Sequence, residues 1–332
     1  MNNIKIFSGS RYPALARRVC RRSRIELNPS MVHPYNSTGC FEYQLLDDVK
    51  GKNAYLFQTF LPNLYDNHLQ IWESLEAIDA ACLNGAKNIT LVASYVPYGR
   101  SDKTPGEKKF LPGTNVSLEL LIRCWQTAGA NRVIIVDPHS KKFAKFFNSV
   151  QCCKFLRHAT VYEIDPTDLI VSEIKTEIDE NPENFVLLTP DEGALERNTR
   201  LQKKLGIKML CADKNRIKDN DVQSIKKDWS TEDTKGKKII FRDDEVSSGG
   251  TVKKTLNGLG ASESIVIATH GVFSEGALEN LQQIENLEKI IVTDTLPISA
   301  EIKDALPVKI ISVAGLISQQ IIQIEKEIEN IK

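Results

Sequence analysis

The stretch KGKKIIFRDDEVSSGGTVKKT, residues 235–255, decides how the chain is read. Its apolar run, Ile239 to Phe241, has the composition of a short strand buried on both faces. Three consecutive acids follow, Asp243, Asp244 and Glu245, then Ser247, Ser248, Gly249, Gly250 and Thr251, where the next helix is expected to begin. Isolated ionised carboxylates are too costly in an apolar interior. The acids are therefore expected past the end of the strand, where solvent or a ligand meets them. The small residues after them leave main-chain N–H groups uncovered at a helix start, an arrangement that receives a phosphate, with the acids beside it for hydroxyl groups or a metal ion. An ordinary tight turn explains the glycines but not the acids in front of them.

Outward from this point the same succession recurs. NIKIF, AYLFQ, NITLVASY, RVIIVD, FVLLT, IKMLCA, SIVIAT, KIIVTD and VKIISV are further short apolar runs. Amphipathic segments lie between them, such as LELLIRCW with Leu118, Leu121, Ile122 and Trp125 at helical spacing. Strand, helix, strand repeated this often predicts an α/β protein with mostly parallel sheets covered on both faces. Ligands then bind beyond the carboxyl ends of the strands. At 332 residues the chain is long enough for two domains. The expected division is 1–152 and 153–314, with a terminal helix at 315–332 docking on the first domain, and the break falls near QCCKFLRHAT. Two polar stretches, residues 99–113 and 213–238, lack apolar periodicity and are expected as mobile loops.

Composition narrows the function classes. Lys and Arg total 43 against 43 Asp and Glu, so general attraction to nucleic acid or an anionic membrane is not indicated, and any anion site must be local. The seven cysteines are scattered without a C-x-x-C and are expected as buried small side chains in a reducing compartment. No run is long enough to span a membrane and the N-terminus has no apolar signal core, so the expected location is the cytoplasm.

Other strand ends carry chemistry too. In VDPHSKKF, His139 follows a strand, two residues after Asp137; a surface histidine is the plainer reading, a metal-adjacent one the sharper. In TPDEGALERNTR, Asp191 ends a strand ahead of a helix bearing Arg197 and Arg200, where a helix cap alone would suit an aspartate. DKNR sets Lys214 and Arg216 in alternation, and YVPYGRSDK puts Arg100 after a strand, both with solvated surface readings. Together the parts are an inventory for moving phosphoryl groups, where catalysis is mostly positioning and charge neutralisation.

In this order the blocks resemble the ribose-phosphate pyrophosphokinases, over nearly the whole chain. IKIFSGSRYPALARRVC resembles the family's first strand and helix, DDVKGKNAYLFQTF the next strand and YGRSDK its ATP-contacting turn. VDPHS is similar to the metal-histidine strand, TPDEGALERN to the acidic turn of the second domain and DKNR to the catalytic loop. FRDDEVSSGGT resembles the ribose-phosphate loop, and ATHGVFSEGALENL with VTDTLP the closing blocks. The resemblance implies two tandem type I phosphoribosyltransferase-like domains. It implies transfer of the β,γ-pyrophosphoryl group of ATP to the anomeric hydroxyl of ribose 5-phosphate, releasing AMP. By position, His139 and Asp191 would help hold Mg2+, and Asp243 and Asp244 the ribose hydroxyls. Ser247, Ser248, Gly249, Gly250 and Thr251 would cradle the 5-phosphate. Lys214 and Arg216 would neutralise charge on the transferred group, with His139 part of the same machinery, and Arg100, Ser101 and Asp102 would meet ATP. The resemblance also implies a homo-oligomer, a dimer or hexamer.

This chain departs from the family pattern at several points. Cys40 aligns where an acid usually helps hold adenine, Ser101 where Gln follows Arg, and Tyr65-Asp66 where the family has Asn-Asp. Ser247 replaces an acid near the sugar, removing a negative charge. That loss suits an acceptor carrying a second phosphate, such as ADP-ribose, which divergent relatives pyrophosphorylate and which would connect the chain to NAD metabolism. A catalytically silent regulatory homologue, and a phosphoribosyltransferase acting on a base, are the competing readings.

Overall fold

The computed structural model describes residues 3–35, 40–61, 64–107, 110–149, 159–191, 193–212, 225–226 and 230–330. The chain divides into two compact units, Met1–Ile164 with Ala314–Lys332, and Asp165–Val313. In chain order the first run holds β1 (Ile4–Ser8), α1 (Pro13–Ser23), β2 (Ser30–Tyr35), β3 (Cys40–Leu45), β4 (Asn53–Gln58) and α2 (Leu64–Leu83). It continues through β5 (Asn88–Ala93), α3 (Ser117–Ala128), β6 (Arg132–Val136), α4 (Lys142–Ser149) and β7 (Thr160–Ile164). Next come α5 (Thr167–Glu180), β8 (Phe185–Thr189), α6 (Leu195–Leu205), β9 (Lys208–Cys211), β10 (Ile225–Lys226), β11 (Lys238–Val246) and α7 (Gly250–Leu256). The remainder is β12 (Glu263–Gly271), α8 (Ala277–Gln282), β13 (Leu287–Thr293), α9 (Ala300–Ala305), β14 (Val308–Ile311) and α10 (Ala314–Asn330).

In the first unit the described strands form a parallel sheet in the order β1-β4-β5-β6-β7. Its strands are apolar without alternation because helices cover both faces. On one face Ala54, Leu56, Leu91 and Val133 meet Ile78 of α2, Leu121 and Trp125 of α3 and Phe143 and Phe147 of α4. The buried Trp125 indole donates to Ser74 Oγ at 2.9 Å, so its one polar atom is satisfied. The chain's far end also returns to this unit: α10 packs beside α1, and Ile317, Ile321 and Ile324 are buried. Glu325 anchors it by accepting from Tyr55 Oη at 2.7 Å and Asn53 Nδ2 at 2.8 Å.

The second unit is a parallel sheet of described strands in the order β10-β9-β8-β11-β12-β13-β14. Successive residues alternate between two cores. Val186, Leu188, Ile239, Phe241 and Val266 lie with Val252 of α7 and Leu281 of α8. Leu187, Ile240, Ile265 and Ile267 lie with Ile170 and Ile174 of α5 and Leu201 of α6. No helix among the described residues is long and apolar enough to cross a membrane.

Several expectations shift. The boundary expected at 152/153 falls at Ile164/Asp165, because β7 is hydrogen-bonded to β6 and stays with the first sheet. The acids expected past the end of their strand lie inside it. β11 pairs with β8 only as far as Phe241↔Leu188 but with β12 as far as Val246↔Gly271. Asp243, Asp244 and Glu245 therefore occupy a strand segment that overhangs β8, and Asp244 and Glu245 are buried there. Cys40 and Cys82 are exposed, against the expectation of buried cysteines. The antiparallel ribbon β2–β3 is an addition, mixed in composition and thus without an apolar run. The stretch 99–107 is fastened by hydrogen bonds described below. The second stretch ends in a short turn at Thr231–Asp233, where Ser230 N–H donates to Asp233 Oδ2 at 3.0 Å.

Candidate active site

In the second unit, β11 overhangs its neighbour for a reason visible in the sequence. Beyond Phe241 its side chains turn polar, and a helix start replaces further sheet. Asp244 N–H donates to Asp243 Oδ1 at 2.9 Å. Burial, then the charge and hydrogen bond of Asp244, push the Asp243 carboxyl well above the ordinary aspartate value, while Arg197 of α6 pulls the other way. A carboxyl in that state gains from any hydroxyl that donates to it, because the donor stabilises the charged form. Asn198, fully buried on α6, holds the backbone beneath through Nδ2 to Arg242 O at 2.9 Å.

The strand then releases into Ser247, Ser248 and Gly249 before α7. Gly249 has φ +73°, and a Cβ there would stand 2.9 Å from Leu281 Cγ, so the turn needs glycine twice over. The first main-chain bond of the helix runs from Lys253 N to Gly249 O at 2.9 Å. The N–H groups ahead of it have no carbonyl within the helix to bond. Asn280 Nδ2 fixes the turn by donating to Ser248 O at 2.9 Å, and Ser247 Oγ lies 3.1 Å from Ser274 Oγ. Gly250 and Thr251 open α7, so all five residues expected to cradle a phosphate lie on one continuous turn.

Asp191 follows β8 and is exposed; its Oδ1 accepts from Ala194 N–H at 3.2 Å. This bond closes a turn just ahead of α6, whose cap position is Ala194, so Asp191 is not the helix cap, but the bond orients its carboxylate. Arg200, by contrast, is a surface side chain paired with Asp165 at 2.9 Å and Glu196 at 3.1 Å.

In the first unit two loops are tied together. A Cβ on Gly99 would lie 3.2 Å from His139 Cβ, so Arg100 and His139 belong to one locality. Asp102 accepts from Ser140 Oγ at 2.7 Å and Lys103 Nζ at 2.8 Å, and Lys142 Nζ donates to Asp102 O at 3.0 Å. Burial pushes the Asp102 carboxyl up, but the Lys103 and Ser140 hydrogen bonds outweigh it and the net shift is downward. Lys142 also pairs with Glu107, whose carboxyl is drawn down to about 2 by that bond and by Thr104 N–H. Ser101 receives Ser117 N–H on its hydroxyl at 3.4 Å and Leu118 N–H on its carbonyl at 3.2 Å, bracing the start of α3. Asp137 sits at φ +41°, a left-handed turn that breaks β6 and leaves His139 exposed.

The expected residues thus gather locally: Arg100, Ser101 and Asp102 with His139 in one unit, and Asp243 and Asp244 with the Ser247–Thr251 turn in the other, while Asp191 lies on a turn of that second unit. Lys214 and Arg216 lie outside the described residues. Ser140, Lys142 and Asn198 were not singled out from sequence; they act through hydrogen bonds that no spacing rule announces. Among the described residues no three His, Cys, Asp or Glu side chains gather into a metal cage. His139 of the first unit and Asp191 of the second are both exposed and of types that can ligate a metal, each supplying one atom at most, as suits an ion such as Mg2+ that keeps water and phosphate oxygens for most of its shell.

Comparison with known proteins places the chain in a family. Residues 4–129 match the family model described as the N-terminal domain of ribose phosphate pyrophosphokinase, and residues 160–294 match the phosphoribosyl transferase domain. The ribose-phosphate pyrophosphokinase of Aquifex aeolicus is 31% identical over 329 residues, covering 98% of this chain and 97% of that one. That of Thermotoga maritima is 29% identical over 332 residues, covering 98% and 96%. The crystal structure of phosphoribosylpyrophosphate synthetase from Mycobacterium smegmatis superposes with a TM-score of 0.81 at 26% identity, covering 98% of this chain and 99% of that one. Two domain models in tandem across most of the sequence, and relatives matched end to end, make this chain a member of the ribose-phosphate pyrophosphokinase family.

Proposed function

We propose that the chain transfers the β,γ-pyrophosphoryl group of ATP to the anomeric hydroxyl of ribose 5-phosphate, in a reaction dependent on Mg2+. The anomeric oxygen attacks the β-phosphorus, the bond from that phosphorus to the α-phosphate oxygen breaks, AMP leaves, and the hydroxyl proton is released. The carrying observation is the acid pair Asp243 and Asp244 on the overhang of β11, one turn ahead of the glycine-bearing start of α7. A sugar phosphate presents hydroxyls and an anion a few bonds apart, and that order of groups suits it. Asp243, with its carboxyl pushed up, accepts a hydrogen bond from a sugar hydroxyl and becomes easier to ionise; the turn donates N–H groups to the phosphate.

In the same reading Arg100 and its neighbours meet ATP, on a turn that Lys142 and Ser140 hold. Lys214 and Arg216 neutralise charge in the transition state. His139 and Asp191 would hold Mg2+, which when bound polarises the phosphate oxygens and offsets their charge. Assembly as a dimer or hexamer belongs to the proposal, and light scattering on the purified protein checks it.

A second acceptor, ADP-ribose, is favoured by one observation. Ser247 brings a hydroxyl, paired with Ser274 Oγ at 3.1 Å, to the position where the family has an acid. Removing that charge lowers the repulsion that a second phosphate would meet. The experiment is a product assay with ATP, Mg2+ and either ribose 5-phosphate or ADP-ribose, with the products weighed by mass spectrometry. Acceptor-dependent AMP with a diphosphorylated ribose 5-phosphate supports the first reading, and the heavier product supports the second. No AMP with either acceptor overturns both and leaves a catalytically silent homologue.

A further inference from the structure

The first helix carries a cluster of arginines that the proposed chemistry does not use. Residues 17–24 read RRVCRRSR. Arg18 turns back to its own unit, donating to Tyr12 Oη at 3.0 Å. Arg17, Arg21, Arg22 and Arg24 are exposed, and among the described residues no hydrogen bond or ion pair holds them. In a chain of balanced charge, where lysines elsewhere pair with neighbouring carboxylates, four guanidiniums without a carboxylate partner on about two turns are a local excess.

Arg17, Arg21 and Arg24 also line one surface cavity of about 390 Å3, together with Cys20, Ile25, Glu26 and Leu27. Glu26 is the single acid in that lining, against three guanidiniums. Two backbone details bear on what the cavity receives. Arg24 adopts φ +57°, a conformation that glycine or asparagine takes more readily at a helix end, so arginine stands there against local preference. Near the end of α1 the chain folds back on itself: Ser23 Oγ donates to Val19 O at 2.9 Å, and Ile25 N–H to Cys20 O at 3.2 Å. Arg21 and Arg22 stand in the last turn, where their charge offsets the negative end of the helix that would repel an anion.

We infer that this face of α1 binds a short chain of phosphates, an oligophosphate recognised by charge alone. Guanidinium forks match phosphate oxygens two at a time. Arg17 and Arg21 are neighbours at i,i+4, and the stretch from Arg17 to Arg24 covers about 10 Å of helix rise. A single phosphate cannot reach that whole line; a chain of phosphates can. The lining has no aromatic ring and no amide side chain, so nothing in it stacks on a base or reads base edges. The phosphates can therefore belong to free inorganic oligophosphate or to the tail of a nucleotide.

The test is calorimetric titration of the full chain with inorganic tripolyphosphate, orthophosphate and CTP, for the wild type and for Arg17→Gln/Arg21→Gln/Arg24→Gly. We expect tripolyphosphate to bind the wild type at one more site per chain than the variant, and orthophosphate to bind that site at least tenfold more weakly. CTP should bind that site within a few-fold of tripolyphosphate. Turnover with ATP, whose own triphosphate tail can occupy the site, should be unchanged in the variant. The single change Arg24→Gly should weaken binding while leaving the melting temperature equal or higher, a combination that a purely structural arginine would not give. Equal stoichiometry and affinity in wild type and variant would overturn the inference. So would CTP binding more than tenfold tighter than tripolyphosphate, since the base would then be read.

Discussion

Asp243 carries its carboxyl on the part of β11 that overhangs β8, where burial and Asp244 raise its proton affinity well above that of an ordinary aspartate. In the unfolded chain the group titrates near about 3.9. Because the folded value is higher, folding takes up a proton. The resulting penalty is absent below the unfolded value, grows as pH rises towards the folded one, and stays in full above it. Asp243→Asn removes the penalty. We expect the variant to melt about 2–4 °C higher than wild type at pH 7 and to show no gain near pH 3.5, while turnover falls roughly 10- to 100-fold for loss of a charged hydrogen bond to a sugar hydroxyl. Melting curves across pH decide it; a variant less stable than wild type at neutral pH would contradict the assignment. The residue was legible in sequence as a site acid, since three acids after an apolar run cannot all be buried for packing. Its place inside the strand was not, because strand length depends on where the neighbouring strand stops, and β8 is more than fifty residues away.

The turn between β11 and α7 is the element on which the sugar-phosphate reading stands. Gly249→Ala puts a Cβ into Leu281 Cγ at 2.9 Å and forces a left-handed backbone on a residue that resists it. Leu281 is fully buried and cannot swing away freely. The expected cost is about 1–3 kcal/mol of stability, with KM for the acceptor raised more than kcat is lowered. Gly249→Ala/Leu281→Ala should recover part of the acceptor affinity although it is less stable still, and steady-state kinetics read the difference. The turn of the first unit behaves in the same manner. Lys142→Ala removes the bond to Glu107 and to Asp102 O, and should raise KM for ATP about tenfold with little change in melting temperature. Glycines flanked by small residues announce the first turn in the sequence. The second was read as a mobile loop because its ties reach forward some forty residues, from Asp102 to Ser140 and Lys142, and charge-rich segments look alike whether or not such partners exist. The ribbon β2–β3 was invisible for a related reason: with helices absent from one side, its residues show neither a continuous apolar run nor a clean alternation.

At the scale of the whole chain, the parallel α/β architecture could be read from alternating apolar runs because both sheets are covered on two faces, and each buried strand then carries its own signature. Division into units is a different kind of property, set by which strands pair, and it explains why the terminal helix belongs with the beginning of the chain. Ile317, Ile321 and Ile324 of α10 are fully buried, and Glu325 accepts the Tyr55 hydroxyl and the Asn53 amide. Residues 165–313 are continuous in sequence and own two complete cores, whereas residues 1–164 lack the helix that closes one face of their sheet. A fragment of residues 165–313 expressed alone should therefore melt in one cooperative transition. A fragment of residues 1–164 should expose apolar surface to a hydrophobic dye and precipitate on concentration, and a version with residues 314–332 joined by a flexible linker should regain cooperative melting. Within that rescued fragment Glu325→Ala leaves a buried phenol and an amide without their acceptor, for a loss of about 1–3 kcal/mol. Cooperative melting of residues 1–164 without the helix would show that α10 decorates a finished sheet, and its place in the first unit would then need a cause other than stability.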